Sequence, residues 1–400
     1  MSPGNPPAAV DPDNRAGQVR SGGPQRIGVC HIVSGDRWAG AEVQVAALLK
    51  YLKRETNLSL TAIVLNPGRL ADEIQGCGIE TRVIPESENG FLTIARYVMK
   101  YLIGKNIQIL HSHRYKENLL AALLAWRLEI PHIVRTQHGL PEPQSGLRRL
   151  KQGLILSADR FFARRATDRV ISVSSEMSRQ LALRIDASSI VTIPNGIDLE
   201  VVRSRFTLQQ AKDRLGIPAE SPVIGAAGRL EPVKRLDIFL RAAAAIRGER
   251  AITRFVIAGE GREAAHLKAL AARLGIAEAV HFLGHRDDIY DVVRAFDLLV
   301  LSSDHEGLPM ILLEAQCLGV IVVARTVGGI PDVIQDGVNG LLVDSSDPRS
   351  LAQACLRALS DRALRERLAE AGARIVAESF AADATARQVA QLYSSLVTRP

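Results

Sequence analysis

Short runs rich in Val, Ile and Leu recur along this chain, and between them lie segments whose apolar residues repeat at helical spacing. A buried parallel strand reads as such a run, and successive parallel strands need a crossover, usually a helix. The alternation therefore confines the chain to α/β layers: doubly wound parallel sheets with helices on both faces. Ile27–Val33 opens the series. Further strands are expected at Leu58–Leu65, Ile79–Ile84, Ile107–His111, His132–Arg135, Arg169–Val173 and Ile190–Ile193. Helices are expected at Ala41–Arg54, Leu70–Gln75, Leu92–Ile103, Lys116–Arg127, Arg148–Arg165 and Glu176–Leu183. The turn Ile193-Pro194-Asn195-Gly196-Ile197-Asp198 reads as the crossing to a second unit. Strands near Pro222–Ala227, Phe255–Gly261, Val280–Arg286 and Asp297–Leu301 then repeat the plan, with helices at Leu208–Leu215 and Leu236–Ile246. Helices at Asp347–Leu359, Asp361–Ser379 and Ala382–Leu396 end it. A length of 400 residues suits two domains or three small ones, and a 47% apolar share with only 4% aromatics suits aliphatic α/β cores.

In such sheets ligands sit beyond the C-terminal strand ends. The loop after Asp297–Leu301 runs His305-Glu306-Gly307-Leu308-Pro309, then Met310 to Ala315 with helix formers throughout. Proline is well tolerated where a helix begins, and the free amides there favour an anion. Glu306 falls in the loop and Glu314 about two turns into the helix, one carboxylate on each side of an anion seat. A sugar joined to a nucleotide diphosphate has that layout. A helix cap at Glu306 and a solvated Glu314 give the same spacing.

Gly228-Arg229 ends one strand and Lys234 follows five residues after Arg229, just before a helix. Arg as a planar fork and Lys as a point charge can clamp a diphosphate. Two exposed cations have the same sequence, but the helix dipole disfavours them there. The loop is not a Walker A motif, and no GxGxxG with a downstream ribose carboxylate appears, which argues against a nicotinamide-dependent dehydrogenase. Gly40 at a loop–helix junction allows close backbone approach, as does an ordinary turn. His138 follows a strand and precedes a glycine, where a neutral imidazole can donate to a hydroxyl or a phosphate or simply be structural. His111 and His113 are expected to face opposite ways, and no third metal ligand lies nearby in sequence.

The four cysteines, Cys30, Cys77, Cys317 and Cys355, are scattered and read as reduced core thiols of a cytoplasmic protein. No apolar run is long enough to span a bilayer. Met1 to Pro24 is polar and Pro/Gly-rich without a signal-peptide core, and reads as a disordered tail. Its Asp11-Pro12-Asp13 is the only DxD-like string. The net charge of +7 is partly concentrated in Gln144–Val170, where seven basic residues are interleaved with Leu and Phe. Such a stretch can lie on an anionic membrane or be an ordinary surface helix.

Taken together the motifs resemble a family. Ala39-Gly40-Ala41-Glu42, Thr136-Gln137-His138-Gly139, Pro194-Asn195-Gly196-Ile197-Asp198, Gly228-Arg229 with Lys234, Ala258-Gly259-Glu260-Gly261 and the pair Glu306 and Glu314 occur in the order seen in family 4 retaining glycosyltransferases of the GT-B fold. The likeness runs from about Arg26 to the C-terminus. It implies two Rossmann-like domains facing across a cleft: a tail at 1–24, an acceptor-side domain at 25–198, a donor domain at 199–378, and a helix at 379–400 crossing back to the first domain. It also implies roles. Arg229 and Lys234 would bind the donor diphosphate and stabilise the leaving group. Glu314 would hold the ribose hydroxyls, and Glu306 and His138 would contact the sugar. The amides of Gly307 and Leu308 would meet the phosphates, and Gly40 the distal phosphate and acceptor. Gly259 would belong to the donor site, and Gly284 to Arg286 would lie beside the base.

The implied partners are a nucleotide diphosphate sugar, with UDP ahead of GDP, and a glycan or lipid-linked acceptor. The 144–170 segment would be a peripheral membrane contact at the inner face. No nucleic acid, cofactor or metal is expected. Many relatives carry Gly-Gly where this chain has Ala39-Gly40, which bears on acceptor geometry more than on the donor site. The competing readings are a GT-B nucleotide-sugar 2-epimerase and a non-catalytic nucleotide-sugar-binding partner subunit. The latter would lack charged site residues, and none is missing here.

Overall fold

The computed structural model describes residues 26–35, 38–139 and 166–398, with residues 153 and 157 besides. Seven strands make the first sheet: β1 (Ile27–Val33), β2 (Leu58–Val64), β3 (Glu80–Val83), β4 (Ile109–Ser112), β5 (His132–Gln137), β6 (Arg169–Ser172) and β7 (Ile190–Thr192). Six make the second: β8 (Val223–Ala227), β9 (Arg254–Ala258), β10 (Val280–Gly284), β11 (Leu298–Leu301), β12 (Ile321–Arg325) and β13 (Leu341–Val343). Every pairing is parallel. β1 is buried along its whole length, as a strand covered on both faces must be.

The orders are β3-β2-β1-β4-β5-β6-β7 and β10-β9-β8-β11-β12-β13. In each sheet the winding reverses beside its first strand, between β1 and β4 and between β8 and β11. Crevices open at such reversals, outside the carboxyl ends of the strands. The loops leaving those four strands carry Gly40, His113, Arg229 and Glu306.

Most expected elements lie within a few residues of their expected bounds. β12, β13 and the helices Ala264–Arg273 and Ile289–Arg294 were not anticipated. From Met310 to Ala324 the apolar run is nearly continuous, so periodicity cannot separate helix from strand. Gly319, with φ +74°, makes the break. β13 has three residues and Ile289–Arg294 six, too few for a period to register.

The helix Ala382–Val397 packs into the core of the first sheet, although the chain has by then completed the second. Val389, Leu392, Tyr393 and Leu396 are buried there. At roughly 2 kcal/mol each they outweigh the rim hydrogen bond from Asn57 to Ser394. The two chain crossings run side by side: Ile197 N donates to Phe380 O and Ala382 N to Ile197 O. A Cβ on Gly196 would lie 2.7 Å from the Ala382 Cα, so only glycine fits at this crossing. The expected tail at 1–24 and the expected helix Arg148–Arg165 lie outside the described residues, save 153 and 157. No described helix is long and apolar enough to cross a membrane.

Candidate functional site

The loop after β11 organises the second-domain side. Ser302 Oγ donates to the Lys234 carbonyl at 2.9 Å, and Asp304 N donates to Val233 O at 2.9 Å. These bonds strap the short turn Pro232–Lys234 against the loop. They deliver Lys234 Nζ to Glu306, 2.7 and 2.9 Å from its two carboxylate oxygens. Ser303 Oγ donates to Glu306 Oε1 at 2.6 Å. Glu306 is 7% exposed, so its charge is met by the ammonium and the hydroxyl rather than by water. Arg235, in the left-handed region at φ +47°, turns away to pair with Asp237 and Asp304. Gly228, Arg229, Lys234, Ser302 and Ser303 line one pocket between the ends of β8 and β11.

Pro309 caps the helix Met310–Cys317 with extended φ and ψ, and Leu308, Met310, Leu312 and Leu313 are buried. Glu314 is buried among them at 6% exposure. Burial pushes its carboxyl up to about 7, and a hydrogen bond from Tyr290 offsets part of that rise. The phenol of Tyr290 is in turn pushed up by burial and by Glu314.

The glycines set the backbone. A Cβ on Gly259 would lie 1.9 Å from Gly228 O, and Gly259 N donates to Gly284 O at 2.7 Å. The ends of β8, β9 and β10 thus form one rim. Arg286, beyond Gly284, is held by Asp288 through two 2.6 Å hydrogen bonds within its own loop. No described contact brings Arg286 to Glu306, Lys234 or Glu314.

The first domain reaches the same loop. A Cβ on Gly307 would lie 2.1 Å from the His138 carbonyl, and one on Gly40 would lie 3.3 Å from Met310 Cγ. Asn195 Nδ2 donates to Leu308 O at 3.1 Å, while from within the second domain Gly329 N donates to Gly307 O at 2.7 Å. Gly40, His138, Gly307, Leu308, Glu306 and Lys234 are therefore brought together, with Arg229 on the same pocket wall and Glu314 on the attached helix.

The expectation that His111 and His113 face opposite ways is corrected. Residues two apart along a strand share a face, and His113, one residue past the end of β4 at Ser112, stacks on His111 with ring centroids 4.5 Å apart. His31 from β1 joins them, and ring nitrogens of the three lie within 4.8 Å of one another. His113 Nδ1 is 3.1 Å from His138 Nε2. Ser303, Tyr290, His31 and Tyr393 were not singled out from the sequence. His31, a lone imidazole inside an apolar strand, was a readable signal; the other three became informative only through their contacts.

Residues 209–375 match the family model described as Glycosyl transferases group 1, and residues 38–201 the one described as Glycosyltransferase Family 4. A D-inositol 3-phosphate glycosyltransferase of Salinispora arenicola is 31% identical over 72% of this chain and 69% of its own. One from Thermobispora bispora is 30% identical over 90% of this chain and 87% of its own. Among solved structures, Anabaena HepE in complex with UDP-glucose superposes with a TM-score of 0.81 at 21% identity, covering 92% of this chain and all of that one. WaaG, a glycosyltransferase involved in lipopolysaccharide biosynthesis, gives 0.71 at 16%, covering 92% and 99%.

Proposed function

Because the chain belongs to glycosyltransferase family 4, with the GT-B fold, and transfers a sugar from a nucleotide sugar, we propose that it is a retaining hexosyltransferase using a UDP-sugar. The observation that carries the site assignment is the buried Glu306, gripped by Lys234 and Ser303 where the first domain touches the loop. In this reading Arg229 and Lys234 take the diphosphate and offset charge on the leaving phosphate. The Gly307 and Leu308 amides meet the phosphates, and Glu314 accepts from the ribose hydroxyls. Glu306 and His138 hold the sugar, while Gly40 and Gly259 allow close backbone approach. Gly284 and Arg286 flank the base. The units are 25–198 for the acceptor, 199–378 for the donor, and 379–400 as the returning helix.

Chemistry proceeds on one face of the sugar. The bond from the anomeric carbon to the phosphate oxygen breaks, the acceptor oxygen bonds to that carbon from the same side, and its proton passes to the departing phosphate. Positioning and domain closure supply the rate, with no metal required. HepE, the structural neighbour solved with UDP-glucose, supports UDP as the nucleotide.

The acceptor is a hydroxyl of a lipid-linked or surface glycan at the inner face of the membrane. The basic 144–170 stretch supports this, as do the exposed Leu92, Ile103 and Trp126 on the first domain. A second reading, a cyclitol phosphate acceptor, is favoured by the relatives at 30–31% identity, which are D-inositol 3-phosphate glycosyltransferases. Donor and acceptor panels assayed in EDTA, with product anomers read by NMR, test the proposal. A retained configuration from a UDP-sugar is expected. An inverted product, or turnover only with a divalent ion, overturns it, and the active acceptor decides between the two readings.

A further inference from the structure

Six side chains form one unbranched hydrogen-bonded chain under the cleft. Thr136 Oγ1 meets His111 Nε2 at 2.7 Å, and His111 Nδ1 meets Tyr393 Oη at 2.5 Å. Tyr393 Oη meets His31 Nε2 at 3.1 Å, and His31 Nδ1 meets His113 Nε2 at 3.2 Å. His113 Nδ1 meets His138 Nε2 at 3.1 Å. The chain ends at His138 Nδ1, an atom shut off from solvent with no hydrogen-bond partner among the described residues. His138 as a residue is half-buried; the other five are buried.

Burial lowers His31 and His138 to about 3, with Arg114 adding to the effect at His138, and it holds His111 and His113 well below the usual imidazole range. Each ring is then neutral, with one N–H and one bare nitrogen. In such a chain the direction of one bond fixes all the others, and bonds pointing the same way reinforce each other.

The two ends set that direction. Neither the Thr136 hydroxyl nor His138 Nδ1 has a further partner among the described residues, so either direction leaves one proton unmet, which is costly when buried. Thr136 accepting from His111 would strand its own proton inside β5, where Thr136 is buried. Thr136 donating puts the one unmet N–H on His138, the end beside the Gly307 loop, where an oxygen of a bound ligand can accept it. The proton therefore sits on Nδ1 of His111, then on Tyr393 Oη, then on Nδ1 of His31, His113 and His138. His138, whose carbonyl abuts Gly307, ends the chain as an N–H donor.

We propose that this chain is a tautomer lock: Thr136, His111, Tyr393, His31 and His113 are positioning residues that hold His138 as the Nδ1–H form, aimed to donate to an oxygen of the bound sugar. The proposal rests on the reading that places His138 at the sugar. It also makes the returning C-terminal helix part of the site, through Tyr393. The clustered histidines invite a metal, but every ring nitrogen of His31, His111 and His113 already has its partner in the chain.

The test is long-range 1H–15N correlation on full-length protein with 15N-labelled histidine, without substrate, at neutral pH. Wild type should show His31, His111, His113 and His138 protonated on Nδ1, against the Nε2–H form that free histidine favours. Tyr393→Phe keeps the buried ring and cuts the chain, so the His138 signal should move to mixed tautomers. Turnover should fall about tenfold, the scale of one neutral hydrogen bond, with donor KM within about twofold. Thr136→Val should do the same and Thr136→Ser should restore the wild-type spectrum, which keeps the test sound if Tyr393→Phe does not fold. A wild-type His138 in the Nε2–H form, or an unmoved tautomer in both breaking variants, overturns the lock. A shifted tautomer with unchanged turnover overturns instead the contact of His138 with the sugar.

Discussion

Lys234 Nζ stands 2.7 and 2.9 Å from the two carboxylate oxygens of Glu306, so the cation expected on the diphosphate and the acid expected on the sugar touch each other. In the proposed site neither end of a nucleotide sugar would be met by an isolated charge. The ammonium holds the buried carboxylate in place with two of its three N–H groups, which leaves one for a phosphate.

Glu306→Gln keeps the shape and removes the charge. We predict a loss in kcat of about a hundredfold or more, on the scale of removing one preorganised electrostatic contact. Steady-state kinetics with the preferred donor check this, with circular dichroism to confirm the fold. Lys234→Met should be as inactive and also less stable, because it strands a buried carboxylate. Its partner is a quarter exposed, so the loss should lie well under the ~3–5 kcal/mol of a fully buried pair.

Glu314 makes a pH prediction. Its carboxyl is raised from 4.5 to about 7 by burial. An acid raised on folding adds stability at low pH and loses that contribution as pH climbs from 4.5 through 7. The ligand-free protein should lose on the order of 3 kcal/mol from this group across that window, and Glu314→Gln should flatten the profile. Urea melts at several pH values measure it. If the ionised form accepts from ribose hydroxyls, nucleotide binding near pH 7 should release a fraction of a proton. That appears as buffer-dependent calorimetric heats in wild type and not in Glu314→Gln.

Gly307→Ala puts a methyl 2.1 Å from the His138 carbonyl, where no side chain can yield. The two domains must part at this contact. Misplacement of about 1 Å costs up to roughly a hundredfold in rate, so kcat/KM should fall on that scale with the fold intact. Gly248→Ala, with open space around it, is the control and should leave activity unchanged.

Charge reversal at Arg148, Arg149, Arg164 and Arg165 should abolish co-sedimentation with anionic liposomes. Unchanged sedimentation would remove the 144–170 stretch as a membrane contact.

The fold was legible because parallel strands buried on both faces must read as apolar runs, as Ile27–Val33 and Leu298–Leu301 do. β12 was not, because Gly319 alone separates it from an equally apolar helix. At the site, Glu306, Glu314, Arg229 and Lys234 could be named from loop position and charge. Their mutual pairing could not, since it depends on Ser302 and Asp304 strapping a distant turn into place. The histidine chain was hidden more deeply. It joins β1, β4, the end of β5 and the last helix, positions up to 362 residues apart, and no local pattern reports such contact.

Calorimetric titration of nucleotide diphosphates and nucleotide sugars, without divalent metal, on wild type and Glu314→Ala tests the donor site most directly. Tight binding of a uridine diphosphate, weakened at least about tenfold by the substitution, is the predicted result. Folded wild type that binds no member of the panel, or a variant that binds as tightly as wild type, would contradict it.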